Sequence, residues 1–418
     1  MPQDQFLTSS NTVKFVLILG IVSLFADTAY EAEKPEQTAA PIHFAAGAHE
    51  ATVPVQVYAE HIFVPVQVNG GERTWFLLDT GANATVISKP LAEKAGLAFQ
   101  WEIGTEGVVG STGLGMAKNV LLELPGVEVP TSSVAVVDLS FVQQALGRSV
   151  DGLLGYDVIS HFVVQVDYEH QQVTFFDPAT FVPDQGSAVL PIAFFRNVPQ
   201  LAARILLPGR APIEVKCLID SGAGSLILAA SFVGANRVLE SVGDTIAVPA
   251  LHFGGESKEL AGRIGWLQFG PYVLRRPVTI MWRDARGLLA SPDIDALIGG
   301  EILSRFTIAF DYQNQRILFK PVGYFADPFR ADASGLSLRV KSAASGPVEI
   351  DNVEPDSAGA TAGLQKGDVI SAIDGHAASE FDLDKIRKMF QQSGRAIRLT
   401  IEREGKTIAV NLKLQERI

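Results

Sequence analysis

Cysteine is almost missing from this chain: Cys217 stands alone among 418 residues, which excludes an intrachain disulfide and any zinc cluster of the cysteine-rich kind. It lies in the apolar run Val215-Lys216-Cys217-Leu218-Ile219, where a thiol packs as a small hydrophobe. Charge is also scarce, at 19% of residues, and the balance is acidic, with a net charge of -12 and no basic run. Such a field repels a phosphate backbone or an anionic membrane surface, so nucleic acid is excluded as a partner class. The Gly-x-Ser-x-Gly elbow, the His-Glu-x-x-His helix and the phosphate-binding Walker loop are all absent, and the seven histidines show no ligand spacing. His61, His161, His170 and His376 read as solvated or hydrogen-bonded.

One apolar stretch stands out near the start. Phe15 to Ala26 follows Lys14 and has the length of a signal-peptide core, short of the ~20 residues that span a bilayer. Residues 1–30 are expected to be a signal peptide or an N-terminal anchor, so that the chain acts outside the cytoplasm, in the periplasm or extracellular space. Residues 31–50, rich in Ala, Glu and Pro, read as a solvated spacer.

With 38 glycines, 22 prolines and 47% apolar residues, the remainder favours strands and turns, and its length calls for two or three domains. An internal repeat supplies the division. Asp151-Gly152-Leu153-Leu154-Gly155 recurs 144 positions later as Asp295-Ala296-Leu297-Ile298-Gly299, and both copies continue in register as strand, turn and strand. Upstream, Phe76-Leu77-Leu78-Asp79-Thr80-Gly81 is echoed 141 positions later by Cys217-Leu218-Ile219-Asp220-Ser221-Gly222. Two duplicated β lobes are therefore expected at 51–185 and 186–328. Asn69-Gly70-Gly71 between apolar runs predicts a hairpin just before the first aspartate. From 331 to 416 the pattern changes to short strands with one amphipathic helix, Leu383 to Gln392, N-capped by Asp382, which makes a separate α+β unit.

A carboxylate closing an apolar strand is costly unless paired or hydrogen-bonded. Two at homologous positions, brought together by packing of the lobes, cannot both ionise, so Asp79 and Asp220 would share a proton, one acting as base and the other as acid on a bound water. Thr80 and Ser221 supply hydroxyls that can cross the interface, Gly81 and Gly222 permit close approach of the turns, and Gly155 and Gly299 let a strand pass beneath each aspartate. No metal, cofactor or acyl-enzyme is required.

These segments resemble the active sites of aspartic peptidases. Leu77 to Ile87 looks like the retropepsin segment, the second copy is similar to the pepsin variant with serine, and Leu153-Leu154-Gly155 and Leu297-Ile298-Gly299 resemble the element that completes each lobe. The resemblance implies a mainly β, bilobal pepsin/retropepsin-like fold with endopeptidase action on polypeptides held in the cleft. It also implies a flap, for which Gly107 to Gly115, with Gly110, Gly113 and Gly115, is the candidate. His252 to Gly255 and Arg263 to Trp266 stand in the equivalent place in the second copy. Residues 331–416 resemble a PDZ domain of the bacterial protease-associated kind. Its carboxylate loop would be Gly335-Leu336-Ser337-Leu338, whose amides hold a protein C-terminus or extended peptide added as a strand. A catalytically silent peptide-binding protein, and a homodimer of lobes, are the competing readings.

Overall fold

The computed structural model describes residues 16–18, 42–45, 47–102, 113–252, 255–284, 287–340 and 346–418. The strands among these fall into four sheets: one for each repeat, one shared between the repeats, and one in the C-terminal unit.

In the first repeat, His61–Val68 and Thr74–Leu78 form the expected hairpin, with Phe63 opposite Leu77. Asn69 and Gly70 both take positive φ, 51° and 68°, the twist that a two-residue turn needs to match its strands. Gly152–Leu154 then inserts parallel to Thr74–Leu78 and antiparallel to Val86–Ser88. The second repeat does the same: Ala296–Ile298 runs parallel to Ile213–Ile219 and antiparallel to Leu226–Leu228. Each inserted strand is fully buried, which explains its unbroken apolar sequence. Cys217 lies opposite Ala296 in this layer, and burial pushes its thiol pKa well up, so it packs rather than reacts.

The repeats join through a six-stranded sheet in which Val163–Asp167 pairs antiparallel with Phe306–Asp311, Gln165 opposite Ala309. Each repeat adds two further strands outward: Gln172–Phe176 and Glu50–Pro54 on one side, Arg316–Pro321 and Ala188–Pro191 on the other. This sheet places the two aspartate turns face to face. A single apolar cluster runs through both repeats, including Phe162, Phe175, Phe306 and Phe319.

One boundary differs from expectation. His43–Phe44 pairs with Val127–Glu128, and the Phe44 ring meets Phe162 edge-on at 5.9 Å, so the solvated spacer ends before residue 43. Apolar burial of an aromatic ring outweighs the polar character of its neighbours. Val16–Ile18, inside the apolar N-terminal stretch, adds parallel to Ile246–His252 at Ala250 to His252; the rest of residues 1–30 lies outside the described residues. Among the described residues no helix is long and apolar enough to cross a membrane.

The C-terminal unit has its own core and a sheet whose edge strand is Leu336–Val340. Its helix spans Leu383–Phe390, capped by the Asp382 carboxylate accepting from Lys385 N–H at 2.7 Å, with Leu383, Ile386 and Phe390 buried.

A Cβ added at Gly299 would lie 2.6 Å from the Ala223 and Ser225 carbonyl oxygens, which are backbone atoms that cannot swing away. Gly299→Ala is expected to destabilise the protein by about 1–3 kcal/mol. Thermal unfolding measures it, and an unchanged midpoint would refute the close-packing argument.

Candidate active site

Asp79 and Asp220 each follow a buried strand, and each backbone N–H is fixed by the inserted strand of its own repeat. Asp79 N–H donates to Leu154 O and Asp220 N–H to Ile298 O, both at 3.0 Å. The glycine following each inserted strand makes this possible, since a Cβ on Gly155 would lie 2.5 Å from the Ala84 carbonyl. The aspartates are completely buried.

The turns interlock across the interface. Thr80 N–H donates to Ser221 Oγ at 3.0 Å, and Ser221 N–H donates to Thr80 Oγ1 at 3.0 Å. Each hydroxyl then donates onward to the opposite strand, Thr80 Oγ1 to Ile219 O at 2.9 Å and Ser221 Oγ to Leu78 O at 2.6 Å. Four reciprocal bonds thus tie the repeats directly beside the carboxylates. Gly81 and Gly222 are required for the same closeness: a Cβ on either would lie 2.5 and 2.6 Å from the carboxylate oxygens of the opposite aspartate.

Asp79 Oδ1 accepts from Gly81 N–H at 3.0 Å, and Asp220 Oδ1 accepts from Gly222 N–H at 2.8 Å and Ala223 N–H at 3.1 Å. The Oδ2 atoms are buried and, apart from the hydrogen bond between the two carboxyls themselves, receive no donor from the surrounding protein. Burial raises the pKa of both groups, Asp79 to about 6, and the charge of Asp79 adds to the rise at Asp220, which lies well above the ordinary carboxyl value. Like charges so close cannot both ionise, and the pair titrates as a unit that keeps one proton at neutral pH. Such a pair can deprotonate a water with one member and donate to an oxyanion with the other.

Three neighbours escaped the sequence reading. His61 is buried, its Nδ1 2.6 Å from Ala59 O and its Nε2 3.2 Å from Gly222 O, so it ties the first repeat to the second aspartate turn; burial lowers its pKa. Asp157 accepts from Thr85 N–H at 2.8 Å and Thr85 Oγ1 at 2.6 Å, bracing the segment after Asp79, and burial raises it to about 6. An acidic residue two places after the glycine in both copies, Asp157 and Glu301, was the available signal. Tyr312 stacks on Tyr156 at 5.8 Å within electrostatic reach of both aspartates, and burial raises its pKa as well.

The other expected residues fall unevenly. Gly110 lies outside the described residues. Gly113 is buried, and Gly115 pairs with Trp101. In the second repeat the strands Ile246–His252 and Gly255–Arg263 pair along their length, and Leu251 packs into a first-repeat cluster that includes Phe63, Leu77 and Val86. That hairpin therefore reaches across to the first repeat.

In the C-terminal unit, Gly335, Leu336, Ser337 and Leu338 open the edge strand as expected, but their amides are not all free. Gly335 N–H donates to the Asp332 carboxylate at 2.7 Å and Leu336 N–H to Ser334 Oγ at 3.0 Å. Short polar side chains two and three residues upstream compete for the donors that a peptide carboxylate would use.

Ser221→Ala removes the donor to Leu78 O and the acceptor for Thr80 N–H in a buried place. A loss of about 1–3 kcal/mol is expected, measurable by chemical denaturation. Because both aspartates have raised pKa values, the stability they contribute is fully present below the ordinary carboxyl value of 3.8 and is lost as pH rises through about 6. Asp79→Asn is expected to raise the melting temperature at pH 7.5, with the gain vanishing near pH 4. A melting temperature lower than wild type at pH 7.5 would contradict the buried-charge reading.

Residues 64–158 match the family model described as aspartyl protease, and residues 349–403 match a PDZ domain model. A 121-residue stretch is 32% identical to the UBA domain-containing protein Mud1 of Schizosaccharomyces pombe, covering 28% of this chain and 32% of that protein. The chain thus spans about a third of the length of that curated relative. Among solved structures, an aspartic proteinase from Irpex lacteus aligns over 66% of this chain and 99% of its own, with a TM-score of 0.43 and 12% identity. The chain carries an aspartyl protease domain, whose matched residues 64–158 include Asp79, Thr80 and Gly81, and a C-terminal PDZ domain.

Proposed function

We propose that this protein is an aspartic endopeptidase in which Asp79 and Asp220 activate one water against a peptide bond. The observation that carries the reading is the symmetric burial of the two carboxylates, each against the glycine of the opposite turn and each with no donor at Oδ2 from outside the pair. An ordinary structural aspartate in such a place would be neutralised by a cation or fully hydrogen-bonded.

In the proposed reaction the ionised carboxylate takes a proton from water as its oxygen bonds to the scissile carbonyl carbon. The protonated carboxyl donates a hydrogen bond to the developing oxyanion. The tetrahedral intermediate then collapses: the C–N bond breaks, the leaving nitrogen gains a proton from the pair, and the carbonyl reforms.

The PDZ domain is proposed to recruit protein or peptide partners. With the apolar stretch Phe15 to Ala26 goes the proposal that this happens outside the cytoplasm, with the chain exported or anchored.

Asp79→Asn and Asp220→Asn are each expected to lower kcat by about 10²–10⁴-fold while the protein stays folded, read by cleavage of a diverse peptide mixture. Cleavage by either variant at the wild-type rate would remove the dyad from the mechanism. For the wild type, kcat/KM should rise with pH through about 6, as the doubly protonated pair gives up its first proton, and fall only in more alkaline solution. A maximum near pH 3 would contradict that assignment. Peptides that bind tightly and remain uncut across this range would favour the peptide-holding alternative.

A further inference from the structure

The PDZ domain does not hang free of the protease lobes: one docking closes both its own groove and an end of the cleft. A PDZ groove lies between an edge strand and a helix, here Leu336–Val340 and Leu383–Phe390. The first-lobe helix Ser140–Leu146 ends in it. Arg387 donates to both Ala145 O at 2.9 Å and Leu338 O at 3.0 Å, joining the end of that helix to the edge strand. A Cβ on Gly147 would lie 3.1 Å from Leu383 Cβ and 3.5 Å from Val340. The Tyr58 hydroxyl donates to Leu146 O at 2.8 Å and accepts from Asp384 N–H at 3.1 Å, and Lys388 pairs with Glu60 at 3.4 Å. A peptide adding to Leu336–Val340 would have to displace residues 145–147.

Between the PDZ helix and the lobes lies a cavity of about 380 Å³ whose walls include His61, Gly224 and Ser225, the last two just beyond the Asp220 turn. The segment after Leu414 runs back along it. Glu416 pairs with Arg263 at 2.5 Å, and Arg263 Nε donates to Ile418 O at 3.1 Å. Arg263 is nearly buried and also donates to Arg276 O and Phe329 O, so it is a fixed clamp rather than a mobile surface group. It sets the Ile418 side chain against an apolar cluster containing Ala223, Ile227, Ile246, Val248 and Ile280. Ala223 is part of the Asp220 turn, and Ile246 and Val248 belong to the hairpin whose Leu251 packs into the first repeat.

We propose that this docking is autoinhibitory: Ile418 is a tethered occupant of a cleft pocket that receives an aliphatic side chain of an extended substrate, and undocking of the PDZ domain vacates it. The inference rests on the peptidase reading. Tethering holds Ile418 at an effective concentration of order millimolar, enough to compete with a weakly bound peptide and not with a tightly bound one. Because the PDZ groove is filled by lobe 1 in the same arrangement, groove ligand and docked state exclude each other.

The test uses the full chain and a statine-containing peptide, whose hydroxyl stands in for the attacking water. Its affinity is measured by calorimetry, and cleavage of a quenched peptide is measured in parallel. Ile418→Asp, deletion of residues 415–418, and Arg387→Ala are each expected to tighten binding and raise kcat/KM by about tenfold, with circular dichroism confirming that they fold. Unchanged affinity in both Ile418→Asp and the deletion would overturn the proposal. Failure of the peptidase reading looks different: either the wild type and every variant would leave the peptide uncut, or Asp79→Asn would cleave as fast as wild type.

Discussion

Two carboxylates buried against each other are the constraint on which the rest of this structure depends. Bringing Asp79 and Asp220 out of water is unfavourable for each, and bringing them together is unfavourable again, unless one proton is shared. The fold meets that cost with rigidity: inserted strands fix both backbone amides, four crossed hydrogen bonds fix both turns, and a continuous six-stranded sheet fixes the repeats. Glycine at 81 and 222 is then a consequence, since the opposing carboxylate occupies the space of a side chain.

Much of this was legible because duplication writes the site twice. One Asp-Thr-Gly is an ordinary turn, whereas a second, followed at matching distance by an apolar triplet and glycine, fixes both aspartates and the strands beneath them. Local chemistry was equally readable: Asn69-Gly70 sets the hairpin and Asp382 caps the PDZ helix. What was hidden depends on contacts between distant segments. His61 reaches the Gly222 carbonyl across 161 positions, and Arg387 reaches Ala145 across 242, pairings that no local pattern encodes. In the PDZ loop the hidden feature is nearer, because Asp332 and Ser334 lie just upstream and accept from two of its amides, those of Gly335 and Leu336.

The repeats have also diverged where symmetry is not needed for the pair. Asp157 braces Thr85 in the first, while the corresponding position after Asp220 is Leu226, an apolar strand residue. The second-repeat hairpin crosses to the first-repeat cluster and supplies part of the wall on which Ile418 rests. The first repeat and the PDZ domain thus pack against each other through Arg387, Tyr58 and Lys388, the contacts on which the proposed coupling of cleft and groove rests.

The shared proton is the central claim, and carboxyl ¹³C NMR of aspartate-labelled protein measures it directly, with Asp79→Asn and Asp220→Asn providing the assignment. The account predicts that the pair retains one proton at pH 7, with its first loss near pH 6 and its second well above. Two carboxylates that are both ionised at pH 7 and titrate independently near the ordinary value of 3.8 would contradict it.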